Sequence, residues 1–167
     1  TGLAVVGQFR LRDLASGGEG APIAPIYHEQ LLRSGPLPSV QVNIGGVSNV
    51  TWSDGDLLMA FDCGPGCAKI DDWMARAGHT MDRDGEHGLA GTIDERIVQL
   101  ALSDEFFARS PPKSLDRDEL VFAGVDMLSL ADGAATLAAI TADAIAVTAR
   151  WFPSPPRRWI VGGGGRR

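Results

Sequence analysis

The chain has 167 residues, 44% of them hydrophobic, with 21 acidic against 15 basic side chains and a net charge of −6. That length suffices for one domain with a real core, and the acidic balance argues against a nucleic-acid or anionic-membrane surface. No apolar run approaches the ~18–20 residues that a bilayer span requires, and no basic segment followed by an apolar one opens the chain as a secretory signal would.

Leu3 to Val6 is apolar and β-branched, which predicts a buried strand. Gln8-Phe-Arg-Leu-Arg-Asp13 follows it, and Asp13 reads as a loop carboxylate paired to Arg10 or Arg12. Gly17-Gly-Glu-Gly-Ala-Pro22 is a loop whose glycines permit close backbone approach or serve as a connector. Ile23, Ile26, Tyr27 and Leu31 fall at helical intervals and predict one apolar helix face. His28 in that helix reads as a packing or capping group. Ser34-Gly-Pro-Leu-Pro38 stops the helix.

Three short strands follow, Val40 to Ile44, Val50 to Trp52 and Leu57 to Phe61, joined by tight turns into an antiparallel meander. The first turn lies in Asn43-Ile-Gly-Gly-Val-Ser-Asn49, where Gly45 and Gly46 turn the chain sharply and bare its N–H groups. Phe61-Asp-Cys-Gly-Pro-Gly66 then opens a helix, with proline suited to the first turn and a helix N-terminus attractive to anions. Two such turns point to phosphate handling; ordinary hairpin chemistry is the competing explanation. Asp62 sits at the mouth of the second turn, as a metal or substrate ligand or as a loop cap. Cys63 and Cys67 are too few for a disulfide framework and fit a reducing cytoplasm. With His79 and His87 they offer four zinc-type ligands, but the histidine spacing falls outside the usual range.

Ile70, Trp73, Met74 and Ala77 form one helical stripe that Gly78 ends, with Asp71 toward a cleft. Asp82-Arg-Asp-Gly85 is a polar turn lacking the distal glutamate of a calcium loop. Thr92-Ile-Asp-Glu95 reads as a capping box leading into Ile93, Ile97, Leu100 and Ala101, with Phe106 and Phe107 buried near the end. Ser110-Pro-Pro-Lys-Ser114 is extended by its prolines. Lys69 and Lys113 are the chain's only lysines; Lys113 either holds a substrate or phosphate or lies on a surface loop. Ser129 to Asp132 caps a long helix with Leu137, Ile140, Ala144 and Val147 inward and Thr136, Asp143 and Arg150 outward. Trp159 to Val161 is a last strand and Gly162 to Gly165 a last turn. Both ends look abrupt, as in a piece of a longer protein.

This order is α/β. A meander, a helix and then a parallel strand is the pattern of a ribonuclease-H-like half of the acetate/sugar kinase–Hsp70–actin superfamily. Residues 1–167 then form a single, truncated domain with a helical insert at about 79–131.

Four segments stand in the order found in anhydro-N-acetylmuramic acid kinases: Gly17-Gly-Glu-Gly-Ala-Pro22, Asn43-Ile-Gly-Gly-Val-Ser-Asn49, Phe61-Asp-Cys-Gly-Pro-Gly66 and Pro111-Pro-Lys-Ser114. The chain resembles that family from Thr1 to Gly165. The resemblance implies ATP and Mg2+, an amino-sugar substrate whose 1,6-anhydro ring is opened by water while its 6-oxygen is phosphorylated, a cytoplasmic location, and no nucleic-acid or membrane partner. It allows a homodimer of the full-length protein. By the same resemblance, Gln8 occupies the base position, Asp13 is matched and Asp62 lies in the active cleft. Asn43, Gly45, Gly46 and Asn49 form a phosphate-contacting loop, and Gly163 and Gly164 lie under the adenosine. Arg10, Gly18, Gly20, Gly64, Pro65, Gly66, Asp71 and Lys113 fall on the substrate side. The family carries aspartate where this chain has Gln8, and a glutamine amide cannot take a proton at neutral pH. It carries Thr and Asn where this chain has Cys63 and Cys67, which removes an amide donor. A first phosphate loop and a later acidic residue of the family are missing here. The expectation is a kinase fragment that does not turn over alone; the alternative is a non-catalytic sugar- or nucleotide-binding module, and a third is an interaction domain without ligand.

Overall fold

The computed structural model describes residues 2, 4, 7–18, 20 and 24–166. Its frame is a sheet of β1 (Ser39–Ile44), β2 (Val47–Ser53), β3 (Leu58–Pro65) and β4 (Arg158–Gly163), in the order β3-β2-β1-β4. β1, β2 and β3 form the expected antiparallel meander, and β4 runs parallel to β1. One expectation needs correcting. Pro65 ends β3 instead of opening the next helix; β3 is an edge strand, where a missing N–H is tolerated.

The two sheet faces differ because strand side chains alternate. Val40, Val42, Val50, Trp52, Phe61 and Cys63 cluster with Phe152 on one face, where Trp52 and Phe152 stack at 6.3 Å. The register puts Gln41, Asn43, Asn49, Thr51 and Asp62 on the other. α2 (Pro25–Leu32) packs against β1, β2 and β3, and His28 Nδ1 lies 2.9 Å from Thr51 Oγ1, a packing role for His28. The apolar face expected of this helix is not buried: Ile26, Tyr27 and Leu31 are exposed and Leu32 is the buried residue. The sheet face that α2 meets is polar, so it does not draw an apolar stripe. α1 (Phe9–Ala15) buries none of its residues. Of the strand expected over Leu3 to Val6 only Ala4 is described, outside any strand, and the helix position Ile23 lies outside the described residues.

The apolar sheet face is closed by α7 (Leu130–Ala146), which also contacts α3 (Cys67–Ala75), α4 (Glu86–Ala90) and α5 (Glu95–Leu102). The Ser129 hydroxyl caps α7 by accepting the Asp132 N–H at 3.1 Å. Leu137, Ile140 and Ala144 are buried as expected. Thr136 is fully buried too, not on the wet face, because its Oγ1 accepts the Asp94 N–H at 3.0 Å. The helical stretch Leu130–Trp151 has 22 residues at mean hydropathy 1.5, so by length and composition a run suited to a bilayer does exist; here it is the helix around which the others pack.

α3 turns Trp73 and Met74 inward, while Ala77 is exposed beyond its end. Gly78, at φ +83°, closes the helix as His79 N–H reaches Met74 O at 3.1 Å and Gly78 N–H reaches Ala75 O at 3.0 Å, the paired bonds of a glycine-terminated helix. The capping box at Thr92 does not form. Asp94 caps α5 instead, accepting from Arg96 N and Ile97 N, and Thr92 N–H is taken by Asp132 Oδ1 at 2.7 Å. Val98 and Ala101 are the buried residues of α5, whereas Ile93 and Leu100 are exposed. In α6 (Glu105–Ala108), Phe106 and Phe107 are both buried.

Candidate active site

Three glycine-bearing segments meet where β1 and β4 end and α3 begins. The Gly45 carbonyl accepts the Cys67 N–H at 2.7 Å, and the Gly46 carbonyl accepts those of Gly66 at 3.0 Å and Ala68 at 3.3 Å. The first amides of α3 are therefore occupied by the hairpin turn, which corrects the expectation that this helix end is open to an anion. Gly66 is required by contact, since a Cβ there would lie 2.2 Å from Gly45 O. Gly46 is not: its Cβ would meet only Ala68 Cβ, at 3.5 Å, and neither Gly45 nor Gly46 has positive φ. Gly163 has φ +88° and would put a Cβ 2.3 Å from Ile44 O. Gly64 packs on α7, where its Cβ would meet Ala144 Cβ at 2.6 Å.

A cleft of about 760 Å³ opens beside this junction. Cys67, Ile70 and Asp71 of α3 form one wall, the alanines of α7 including Ala138 a second, and Gly164 and Gly165 the floor. A Cβ at Gly164 would meet nothing within 4 Å. Burial, then the neighbouring Asp72, pushes the Asp71 carboxyl up, against the pull of Arg117. Burial and Asp71 likewise push the Cys67 thiol up.

On the polar sheet face, Asn43 pairs with Asn49 and Asn49 with Asp62. Asp62 is buried within β3. Its N–H donates to Lys113 O at 3.1 Å, and its Oδ2 accepts the Leu115 N–H at 3.0 Å. Residues 113–115 thus lie along the otherwise open edge of β3. Burial raises the Asp62 carboxyl, opposed by the Leu115 N–H and by Arg10.

Lys113 is not on a surface loop; it is 6% exposed. Its ammonium donates to Phe106 O at 2.9 Å and sits 4.4 Å from the Phe106 ring centre. Burial, then Arg150 and Arg109, depresses its pKa to about 8. Asp13 does not pair with Arg10 or Arg12 among the described residues. Its Oδ2 accepts the Gly20 N–H at 2.8 Å, and its carbonyl accepts the Gly18 N–H at 2.9 Å, so it shapes the glycine loop. Gln8 is the exposed N-cap of α1, in the left-handed region at φ 56°, ψ 38°. Cys63 is buried under the sheet, the His79 and His87 rings lie 5.1 Å apart, and no three such ligands converge for a metal among the described residues.

Two features escaped sequence reasoning. The strap over the β3 edge needs a contact between distant segments, which no local pattern reveals. The Asn43–Asn49 pair was accessible, because both lie three residues from Gly46 and a hairpin centred there makes them partners.

The fold is mixed α/β, with glycine turns gathered at one end of the sheet beside the cleft. The chain belongs to the anhydro-N-acetylmuramic acid kinase family, whose family model matches residues 1–167. It is 48% identical over 169 residues to the anhydro-N-acetylmuramic acid kinase of Rhodospirillum rubrum, covering 99% of this chain and 45% of that protein. The corresponding protein of Paramagnetospirillum magneticum is 48% identical over 171 residues, at 99% and 48% coverage. That of Methylobacterium nodulans is 50% identical over 171 residues, at 99% and 46% coverage. The chain spans about half the length of the curated relatives it matches.

Proposed function

We propose that the protein containing this chain is an ATP-dependent kinase of 1,6-anhydro-N-acetylmuramic acid, giving N-acetylmuramate 6-phosphate for cell-wall recycling in the cytoplasm. The observation that carries this is the family match over residues 1–167. The sheet order and the parallel β4 fit a ribonuclease-H-like half of the acetate/sugar kinase–Hsp70–actin superfamily, which binds ATP between two such halves. On this reading residues 1–167 are one truncated domain, with a helical insert at about 79–131 between α3 and α7, and a homodimer of the full-length protein is allowed.

The cleft supports a nucleotide. Its volume lies in the range of small-molecule sites, its alanine wall suits a flat base, and Gly164 leaves the floor open. Gly45 and Gly46 lie toward the phosphates. Mg2+ commonly takes one or two carboxylates together with substrate phosphates; Asp71, which lines the cleft, is the residue that would hold it, and it would neutralise phosphate charge. The rest is positioning and charge stabilisation: Asp13 helps to hold the glycine loop in shape through Gly18 and Gly20, and Arg10 partly offsets the burial that raises the Asp62 carboxyl. Gln8 can orient a water but not deprotonate it.

The test is calorimetric titration of the full-length protein with Mg-ATP and with the anhydro sugar, followed by mass-spectrometric detection of the 6-phosphate. Sugar binding is expected. A full-length protein that binds neither ligand overturns the proposal.

A further inference from the structure

α3 stands between two cavities. Its residues Cys67, Ile70 and Asp71 line the cleft described above. Lys69, Trp73 and the C-cap Arg76, at i, i+4 and i+7, share another side of the helix and line a separate pocket of about 210 Å³. Leu120 and Val125 of the segment packed on α3, with Leu137 of α7, complete its apolar lining, and all three are buried. The indole wall is preformed: the Trp73 N–H is held by Leu130 O at 2.9 Å, and the Arg76 guanidinium sits 5.0 Å from the ring centre.

The charges around this pocket are unevenly satisfied. Asp126 is paired with Arg76, and Asp72 with Arg117. Lys69 has only Asp118, at 3.9 Å, beyond hydrogen-bond range. That carboxylate is 81% exposed and lies 4.0 Å from Arg117 as well, so it holds neither cation firmly. The Lys69 side chain is nevertheless only 20% exposed, and its ammonium donates no hydrogen bond among the described residues. An ammonium carries three donors and accepts nothing. Largely covered and lining an apolar pocket, it calls for an anionic acceptor from outside. Size narrows the choice, because a dry cavity of about 150 Å³ takes benzene. This pocket therefore admits one ring, or a short branched chain, together with a carboxylate, and is too small for a nucleotide. We propose that it is a binding site for a small apolar monocarboxylate, with the carboxylate on Lys69 and the hydrocarbon body between the Trp73 indole and Leu120, Val125 and Leu137. The site is distinct from the cleft and does not depend on the kinase reading; its ligand would rest on the helix that carries Asp71 into that cleft.

Phenylacetate, its neutral isostere phenylacetamide and the cation phenethylamine are the probes. Each is titrated into the full-length wild type, Lys69→Met and Lys69→Glu, in carboxylate-free buffer at low ionic strength. Calorimetry gives the affinity, and the indole N–H resonances of isotope-labelled protein report the place, with Trp73→Phe identifying the Trp73 signal. Phenylacetate is expected to bind wild type with a Kd of about 0.1–5 mM, the strength of roughly ten heavy atoms at ordinary ligand efficiency, and to shift the Trp73 resonance. Lys69→Met, which keeps the packing of the stem, should weaken phenylacetate about tenfold or more and Lys69→Glu should abolish it, while phenylacetamide binds wild type and Lys69→Met alike within about twofold. The comparison of the three probes on wild type alone keeps the test decisive if a variant fails to fold. Absence of phenylacetate binding to wild type, meaning a pocket that holds water only, overturns the inference. So does tighter binding of phenethylamine than of phenylacetate, equal phenylacetate affinity in Lys69→Met, or binding that leaves the Trp73 resonance unmoved.

Discussion

Gln8 combines an unusual backbone with an unusual side chain. Its left-handed φ of 56° is better tolerated by aspartate or asparagine than by glutamine. Gln8→Asp in the full-length protein should therefore raise turnover by about 10²–10⁴-fold, the usual worth of a positioned base, without lowering Tm; initial rates and melting curves check both. Lys113 makes a second prediction. It has no ion-pair partner among the described residues, and its pKa falls from the ordinary 10.5 to about 8. Below pH 8 the native and unfolded states both carry the proton, and the full destabilisation is present. Between about pH 8 and 10.5 the unfolded chain binds more protons than the native one, so this contribution to stability rises with pH. Lys113→Met should be more stable than wild type at pH 7, with the advantage shrinking by pH 10 in urea titrations. The sequence marked Lys113 as unusual because lysine is scarce, but its direction was hidden, since the Phe106 carbonyl that it meets belongs to another element.

At the scale of elements, α3 and α7 approach closely because Gly133 lets the Trp73 ring lie on the α7 backbone. A Cβ there would stand 2.3 Å from that ring, and the indole N–H is held by Leu130 O at 2.9 Å. Gly133→Ala is expected to cost about 1–3 kcal/mol through overpacking, measured as a shift of the urea midpoint at constant slope. Element existence was readable wherever apolar period and turn chemistry agreed, as in the meander, in α3 with its Gly78 stop and in α7 with its Ser129 cap. It failed where a tertiary partner competed. Asp132 takes the Thr92 N–H, so the α5 cap moves to Asp94. The polar sheet face under α2 leaves Ile26 and Tyr27 outside.

For the whole molecule, the cleft between α3 and α7 separates nucleotide binding from folding. Ala138 lines it and is exposed. Ala138→Trp should leave Tm unchanged while weakening Mg-ATP binding by at least about tenfold, since an indole fills space that a base would take; equal affinity in calorimetry would move the nucleotide elsewhere. The antiparallel meander followed from the strand sequence, but the meeting of the three glycine segments did not. That depends on the parallel β4 bringing Gly163 beside Ile44, a pairing with no local signature.

The same pairing bears on how the chain is made. Ser39 of β1 and Arg158 of β4 are 119 residues apart. At ~5–20 residues per second, a ribosome needs roughly 6–24 s to reach the second strand after the first. Throughout that interval β1 has β2 on one side and an unpaired backbone on the other, with Val40 and Val42 waiting for their cover. A nascent chain stalled before Pro156 should accordingly recruit chaperones or precipitate more than one extended well past Gly163.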